Sequence, residues 1–247
     1  MGRAGIAVAV ALVSMLVAGT PSPTHAQAGM NLSWTDCGTF GVLQKNFACN
    51  TNAGSNMLVA SVIAPAPLEH VNGMQASIEI QTNQAALSPW WHLESGGCRD
   101  GALVPNFNFT TGYINCMDLW GGQAASKFSV FPGYGGAPNR TRILVVCSVP
   151  EEIAILDDSE YYAFSLALDR SKSVGSGACA GCTDGACIVL SYIKLTRLEI
   201  HGDVYVVSPI TRHYVQWQSG GNIGGNCPPM HTPVRASTWG SVKSMYR

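Results

Sequence analysis

The sequence predicts an all-β domain built as a two-sheet antiparallel β-sandwich and braced by disulfides. Three observations predict it. Short runs of alternating apolar and polar residues are bounded by Gly, Pro and Asn, the pattern of half-buried strands between turns. Helical periodicity is almost absent. Nine cysteines follow an N-terminal segment laid out like an export leader, which assigns them to an oxidising compartment.

Arg3 opens a short positive segment, Gly5–Ala18 is apolar and Ala26-Gln27-Ala28 offers a small-x-small cleavage site, so residues 1–28 read as a signal peptide. Met57–Ile63 is a nearly continuous apolar run, as expected for a buried strand. Asn72-Gly73 is a turn signal, and behind it Met74, Ala76, Ile78 and Ile80 alternate with Gln75, Ser77 and Glu79. Pro89-Trp90-Trp91-His92 reads as the end of a strand. Arg142–Val149 reads as a buried strand closed by Pro150. Because Pro150, Glu151 and Glu152 suit a first helical turn, Val149–Leu156 is expected to hold one turn of helix. Tyr161–Asp169 alternates again. Ile188–Ile200 and Val204–Trp217 are β-branched and aromatic, and His201-Gly202-Asp203 between them predicts a hairpin. Eight to ten strands in all make residues 29–218 a sandwich, Ig-like or jelly-roll-like, with a closed barrel as the competing arrangement. Residues 219–236 read as a Gly/Pro-rich linker and residues 237–247 as a short C-terminal tail.

Composition narrows the function classes. Without its leader the chain keeps roughly 220 residues, enough to bury a core, so the disulfides add bracing to a domain that can pack. Charged residues make up 12%, about half the usual share of ~25%. The net charge of −1 becomes −2 once Arg3 is removed, and such a surface has no field to attract nucleic acid. No segment after the leader approaches ~20 consecutive apolar residues, so no membrane span is expected.

The cysteines are Cys37, Cys49, Cys98, Cys116, Cys147, Cys179, Cys182, Cys187 and Cys227. Short-loop closure favours pairing Cys37 with Cys49 and Cys98 with Cys116. Three readings fit the cluster of Cys179, Cys182 and Cys187: a Gly-rich connection stapled by one disulfide, half of a zinc site, or a redox pair. Zinc would need a second ligand pair, and a thioredoxin-like pair would need a following helix where a strand is expected. The staple is therefore the favoured reading. The odd count leaves one thiol over, either Cys147 or Cys227.

Catalytic motifs are scarce. Glu151, Glu152, Asp157, Asp158 and Glu160 cluster in sequence, a pattern that usually marks a solvated face and only sometimes a carboxylate pair or a calcium loop. Asp100 and Asp118 stand near cysteines in loops. His70, His92, His201, His213 and His231 form no paired metal motif, and no nucleophile elbow of the Gly-x-Ser-x-Gly type is present. No metal or cofactor is expected. Asn31, Asn108 and Asn139 head glycosylation sequons.

Aromatic residues are more suggestive. Trp90, Trp91, Trp120 and Tyr134, if exposed among Asn, Gln and Asp, would make a platform for a sugar or peptide; the favoured reading is that Trp90 and Trp91 cap the core and pack on a disulfide. In the tail, Trp239, Val242 and Tyr246 fall on one face of a short amphipathic helix that would dock in a groove.

The run Gly73-Met74-Gln75-Ala76-Ser77-Ile78-Glu79-Ile80-Gln81, with Leu87 beyond it, resembles the opening strand of cohesin-type modules and related secreted bacterial sandwiches. The resemblance implies a module that binds other proteins through a sheet face and is not catalytic. The chain departs from such modules in its wealth of cysteine. Its ending, Trp239-Gly240-Ser241-Val242-Lys243-Ser244-Met245-Tyr246-Arg247, resembles the tails of uncharacterised secreted bacterial proteins, which implies sorting or assembly. The expectation is a secreted, non-enzymatic binding or structural protein engaging an extracellular protein or glycan. The competing class is an extracellular carbohydrate-active hydrolase using acids brought together by the fold.

Overall fold

The computed structural model describes residues 27–218. Nearly all of the expected leader, the linker and the tail with Trp239, Val242 and Tyr246 lie outside the described residues, as do Cys227 and His231. Among the described residues there are twelve strands: β1 (Gly29–Trp34), β2 (Gln44–Lys45), β3 (Ser55–Ile63), β4 (Leu68–Thr82), β5 (Leu103–Asn106), β6 (Met117–Asp118), β7 (Ala125–Pro132), β8 (Arg140–Ile155), β9 (Tyr161–Asp169), β10 (Ala186–Arg197), β11 (Val204–Val206) and β12 (Tyr214–Trp217). The count exceeds eight to ten chiefly because β2, β6 and β11 are pieces of two or three residues.

They form two sheets, as expected of a sandwich. Sheet A runs β1-β3-β9-β5 with β6 also on β9, and sheet B runs β2-β12-β10-β4-β8-β7 with β11 also on β10. Pairing is antiparallel except for the short parallel contacts β6 with β9 and β12 with β2. The inner faces meet in one core, to which sheet A gives Leu32, Leu58, Phe164 and Leu166 and sheet B gives Ala76, Ile78, Val145 and Ile193. One end of the core is aromatic: Phe47 stacks on Trp217 at 4.2 Å, and Trp34 and Trp91 meet Trp217 at 5.9 and 5.3 Å. Such pairs add about 0.5–1.5 kcal/mol each beyond their buried area.

Three local expectations are corrected. Asn72-Gly73 is not a turn: β3 and β4 belong to different sheets, and the chain crosses between them at residues 64–67. Gly73 lies inside β4, where a Cβ would meet the carbonyl oxygen of Cys147 on the neighbouring strand. Val149–Leu156 holds no helical turn, because β8 continues through it. The ladder shifts register between Val71 and Gly73, and this irregularity accommodates Pro150, which has no N–H to give. Pro89–Trp91 is a 3-10 turn instead of a strand end. The β10–β11 hairpin is present, although Val204–Trp217 breaks into β11 and β12.

The cysteines are bridged, but not by short loops. Cys37 pairs with Cys116, Cys49 with Cys182 and Cys98 with Cys179, over sequence separations of 79, 133 and 81 residues. Each bridge ties loops that the sheet topology has brought together, which a closure argument on sequence distance cannot foresee. Cys179 and Cys182 go to different partners, so the cluster is neither a metal knuckle nor a redox pair, and these two cysteines already hold separate bridges where one staple was expected. Cys187 is disulfide-bonded as well. Cys147 is a free, buried thiol on the core side of β8.

Candidate binding face on the seven-stranded sheet

On β4 the side chains of Met74, Ala76, Ile78 and Ile80 enter the core, so Gln75, Ser77 and Glu79 stand on the outer face of sheet B. Register carries that face across the neighbouring strands. Tyr205 of β11 lies opposite Lys194 of β10, and Lys194 lies opposite Gln75. Tyr192 faces Ser77, and Ser77 faces Leu144 of β8. Glu79 faces Arg142, and Arg142 faces Phe131 of β7. At about 4.8 Å per strand step this surface is about 19 Å wide.

A bulge aims one member of the face. The β10–β4 ladder slips between Leu190 and Tyr192, so Ser191 is an extra residue and Ser191 and Tyr192 both turn outward. Ser191 Oγ donates to Glu79 Oε1 at 3.3 Å, and Gln75 Nε2 donates to the Tyr192 hydroxyl at 2.5 Å.

Between these rings lies a groove of about 390 Å³ lined by Gln75, Phe131, Tyr134, Arg142, Leu144 and Tyr192. Arg142 is fixed from two sides: its guanidinium carbon sits 3.4 Å from the Tyr134 ring centre, and its Nη2 donates to Glu79 at 2.8 Å. Phe131 and Tyr205 are 47% and 60% exposed, so the face presents apolar rings to solvent. At the Tyr205 end, Lys194 reaches Asp203 at 3.1 Å, and this contact leads the causes that hold the Asp203 carboxyl below its usual range.

Of the four aromatic residues weighed as a ligand platform, the structure places Tyr134 on this groove. Trp90 and Trp91, both 0% exposed, lie in the core as the favoured reading has it, and Trp120, 2% exposed, is corrected from platform to core. Arg99 covers Trp90 from 3.4 Å, and Trp120 Nε1 donates to the Ala163 carbonyl at 2.7 Å. Sequence reasoning missed Gln75, Phe131, Arg142, Leu144 and Tyr192 as one surface. The alternation of Phe128 and Val130 with Lys127, Ser129 and Phe131 was the available signal for β7.

Several of the remaining candidates have structural partners. Glu152 meets His70 at 2.6 Å, and His70 stacks on His201 at 4.4 Å. Glu160 turns inward and accepts from Asn31 at 2.7 Å and Ser61 at 2.5 Å. Neighbouring acids in sequence are thus separated in surroundings. Asp118 accepts from the Trp120 amide at 3.0 Å and Asp100 from the Gly96 amide at 2.9 Å. His92 meets Glu94 at 2.7 Å, while burial pulls the His213 imidazole below its usual range. Among the described residues no group of three His, Cys, Asp or Glu is placed to hold a metal ion, and no helix is long and apolar enough to cross a membrane.

No family model matches the chain and no curated protein matches it. Among solved structures the chain is similar to a cohesin module from the Clostridium perfringens ATCC13124 family 33 glycoside hydrolase. That likeness covers 77% of this chain and 98% of the module at 10% identity, with a TM-score of 0.31. At that TM-score it carries no argument.

Proposed function

We propose that this protein is an exported, non-enzymatic binding module that holds an extracellular partner on the outer face of sheet B. The observation that carries this reading is the outer-face surface of Tyr205, Tyr192, Gln75, Arg142 and Phe131 across five neighbouring strands, in which rings flank fixed polar groups. Surfaces of that composition, apolar with a few well-placed donors, are the ones ligands select. Export is supported by the bridges among the described residues, since structural disulfides persist in oxidising compartments. Catalysis draws no support from the groove: no carboxylate is among its lining residues, and Glu79 beside it is buried against Arg142.

The test is retention of the fluorescently labelled, folded protein on surface material from its own culture. Phe131→Glu should cut retention about tenfold by placing a charge where a ring must be covered. Equal retention of Phe131→Glu and the wild type would remove the face from the proposal.

A further inference from the structure

The groove on sheet B has a chemistry that selects a class of occupant, and the inference here rests on the reading of that face as the binding surface. Its lining residues present three rings, Phe131, Tyr134 and Tyr192, around an amide, a guanidinium and a leucine. Its volume of about 390 Å³ lies at the small end of the 300–1,000 Å³ typical of small-ligand pockets. A flat protein surface would leave it unfilled, whereas a compact, ring-shaped group would enter it.

Charge narrows the class further. Arg142 is the groove's cation, and Glu79 lies 2.8 Å away as its counter-ion, so an anionic ligand gains no unpaired positive charge. Polar demand remains. Gln75, on the groove wall, donates to the Tyr192 hydroxyl at 2.5 Å, and the Arg142 side chain keeps 21% of its surface exposed. A ligand rich in hydroxyl groups supplies both donors and acceptors to polar side chains on a groove wall.

We propose that the groove is a subsite for an uncharged oligosaccharide, with the C–H face of one sugar ring against Phe131 and Tyr192 and its hydroxyl rim towards Gln75 and Arg142. A sugar joins the two properties that the groove asks for, an apolar face and a polar edge. The width of the wider face lets a chain of several sugars continue towards Tyr205.

The experiment presents the folded protein to immobilised neutral oligosaccharides built from hexoses, pentoses or N-acetylhexosamines, with uronate oligomers as the charged arm. The expected result is binding to at least one neutral oligosaccharide. Phe131→Ala and Gln75→Ala should each weaken it about tenfold, and Tyr192→Phe less, with thermal unfolding unchanged for Phe131→Ala. Tighter binding to uronates, or neutral binding that survives Phe131→Ala combined with Gln75→Ala, overturns the proposal. Failure of every neutral oligosaccharide overturns it too. If Phe131→Glu still abolishes retention on culture surface material in that last case, the binding face stands and only the carbohydrate class falls.

Discussion

Arg142 donates to Glu79 at 2.8 Å on the outside of a sheet, yet only the arginine keeps contact with solvent, at 21% side-chain exposure against 2%. Tyr134 covers the guanidinium from 3.4 Å, and Ser191 adds a second donor to the carboxylate. Cutting one partner from a buried pair leaves an uncompensated charge, which costs about 3–5 kcal/mol when both are fully buried. Since water can partly reach the site, Arg142→Met should lower stability by about 2–3 kcal/mol. Glu79→Leu combined with Arg142→Met should recover most of that loss. Urea unfolding of the three variants measures it, and an Arg142→Met protein as stable as wild type would mean the pair is not needed to satisfy Glu79.

The bulge that aims Tyr192 was legible, though it is easy to miss. Along β10 the core residues are Ile188 and Leu190, then Ile193 and Leu195. The inward set passes from even to odd numbers, and a period of two can change parity only if one residue is inserted. Strand identity was legible for the same reason wherever one face met the core. The inside of sheet B could be read from Met74, Ala76, Ile78 and Ile80 alone. What was not legible depends on distant partners. No local pattern says that β3 and β4 part company into two sheets, or that Trp90 lies under Arg99. The binding face combines five strands, so its members run from Gln75 to Tyr205, 130 residues apart in sequence, and no window contains them.

The bridges give a test of topology. A non-reducing peptide map should show Cys37 with Cys116, Cys49 with Cys182 and Cys98 with Cys179. A peptide joining Cys37 to Cys49 would contradict the packing of the loop after β1 against β9. Replacing Cys98 and Cys179 together by Ser opens a loop of 81 residues, and chain entropy puts the loss at about 4–5 kcal/mol. Chemical denaturation of the double variant against wild type checks that size.

Alkaline pH should weaken the fold through two groups. Burial pushes the Cys147 thiol up to about 12, and burial followed by the hydrogen bond to Asp36 pushes the Tyr162 phenol up to about 12. A group whose folded pKa is raised contributes stability that is complete below its unfolded pKa and disappears as pH rises through the folded value. The window therefore runs from about pH 9 to 12 for the thiol and from about pH 10 to 12 for the phenol. Stability measured at pH 8, 10 and 11.5 should fall across that range. Cys147→Ala combined with Tyr162→Phe should flatten the decline, and a double variant with the wild-type slope would assign it to other groups.

Burial also sorts the glycosylation sequons. Asn31 is 1% exposed on β1; its Nδ2 donates to Glu160 at 2.7 Å, and its Oδ1 accepts from the amides of Thr211 at 2.9 Å and Arg212 at 3.1 Å. A sugar on Nδ2 would break the bond to Glu160 and displace the segment before β12 from the sheet. Asn139 is half-buried, and its Nδ2 donates to the Thr82 carbonyl at 3.0 Å. Asn108 is exposed; its Oδ1 accepts from the Thr110 amide and hydroxyl, and its Nδ2 is not committed to a bond of the kind that holds Asn31 or Asn139. Folded protein secreted from a eukaryotic host should therefore carry its glycan on Asn108 and none on Asn31. Intact-mass analysis reads the result directly: Asn108→Gln should remove the added mass, whereas Asn31→Gln should leave that mass in place and lower stability by breaking the contacts to Glu160 and to Arg212. A glycan recovered on Asn31 in folded material would place β1 outside sheet A, since a strand under the 208–212 segment has no room for one.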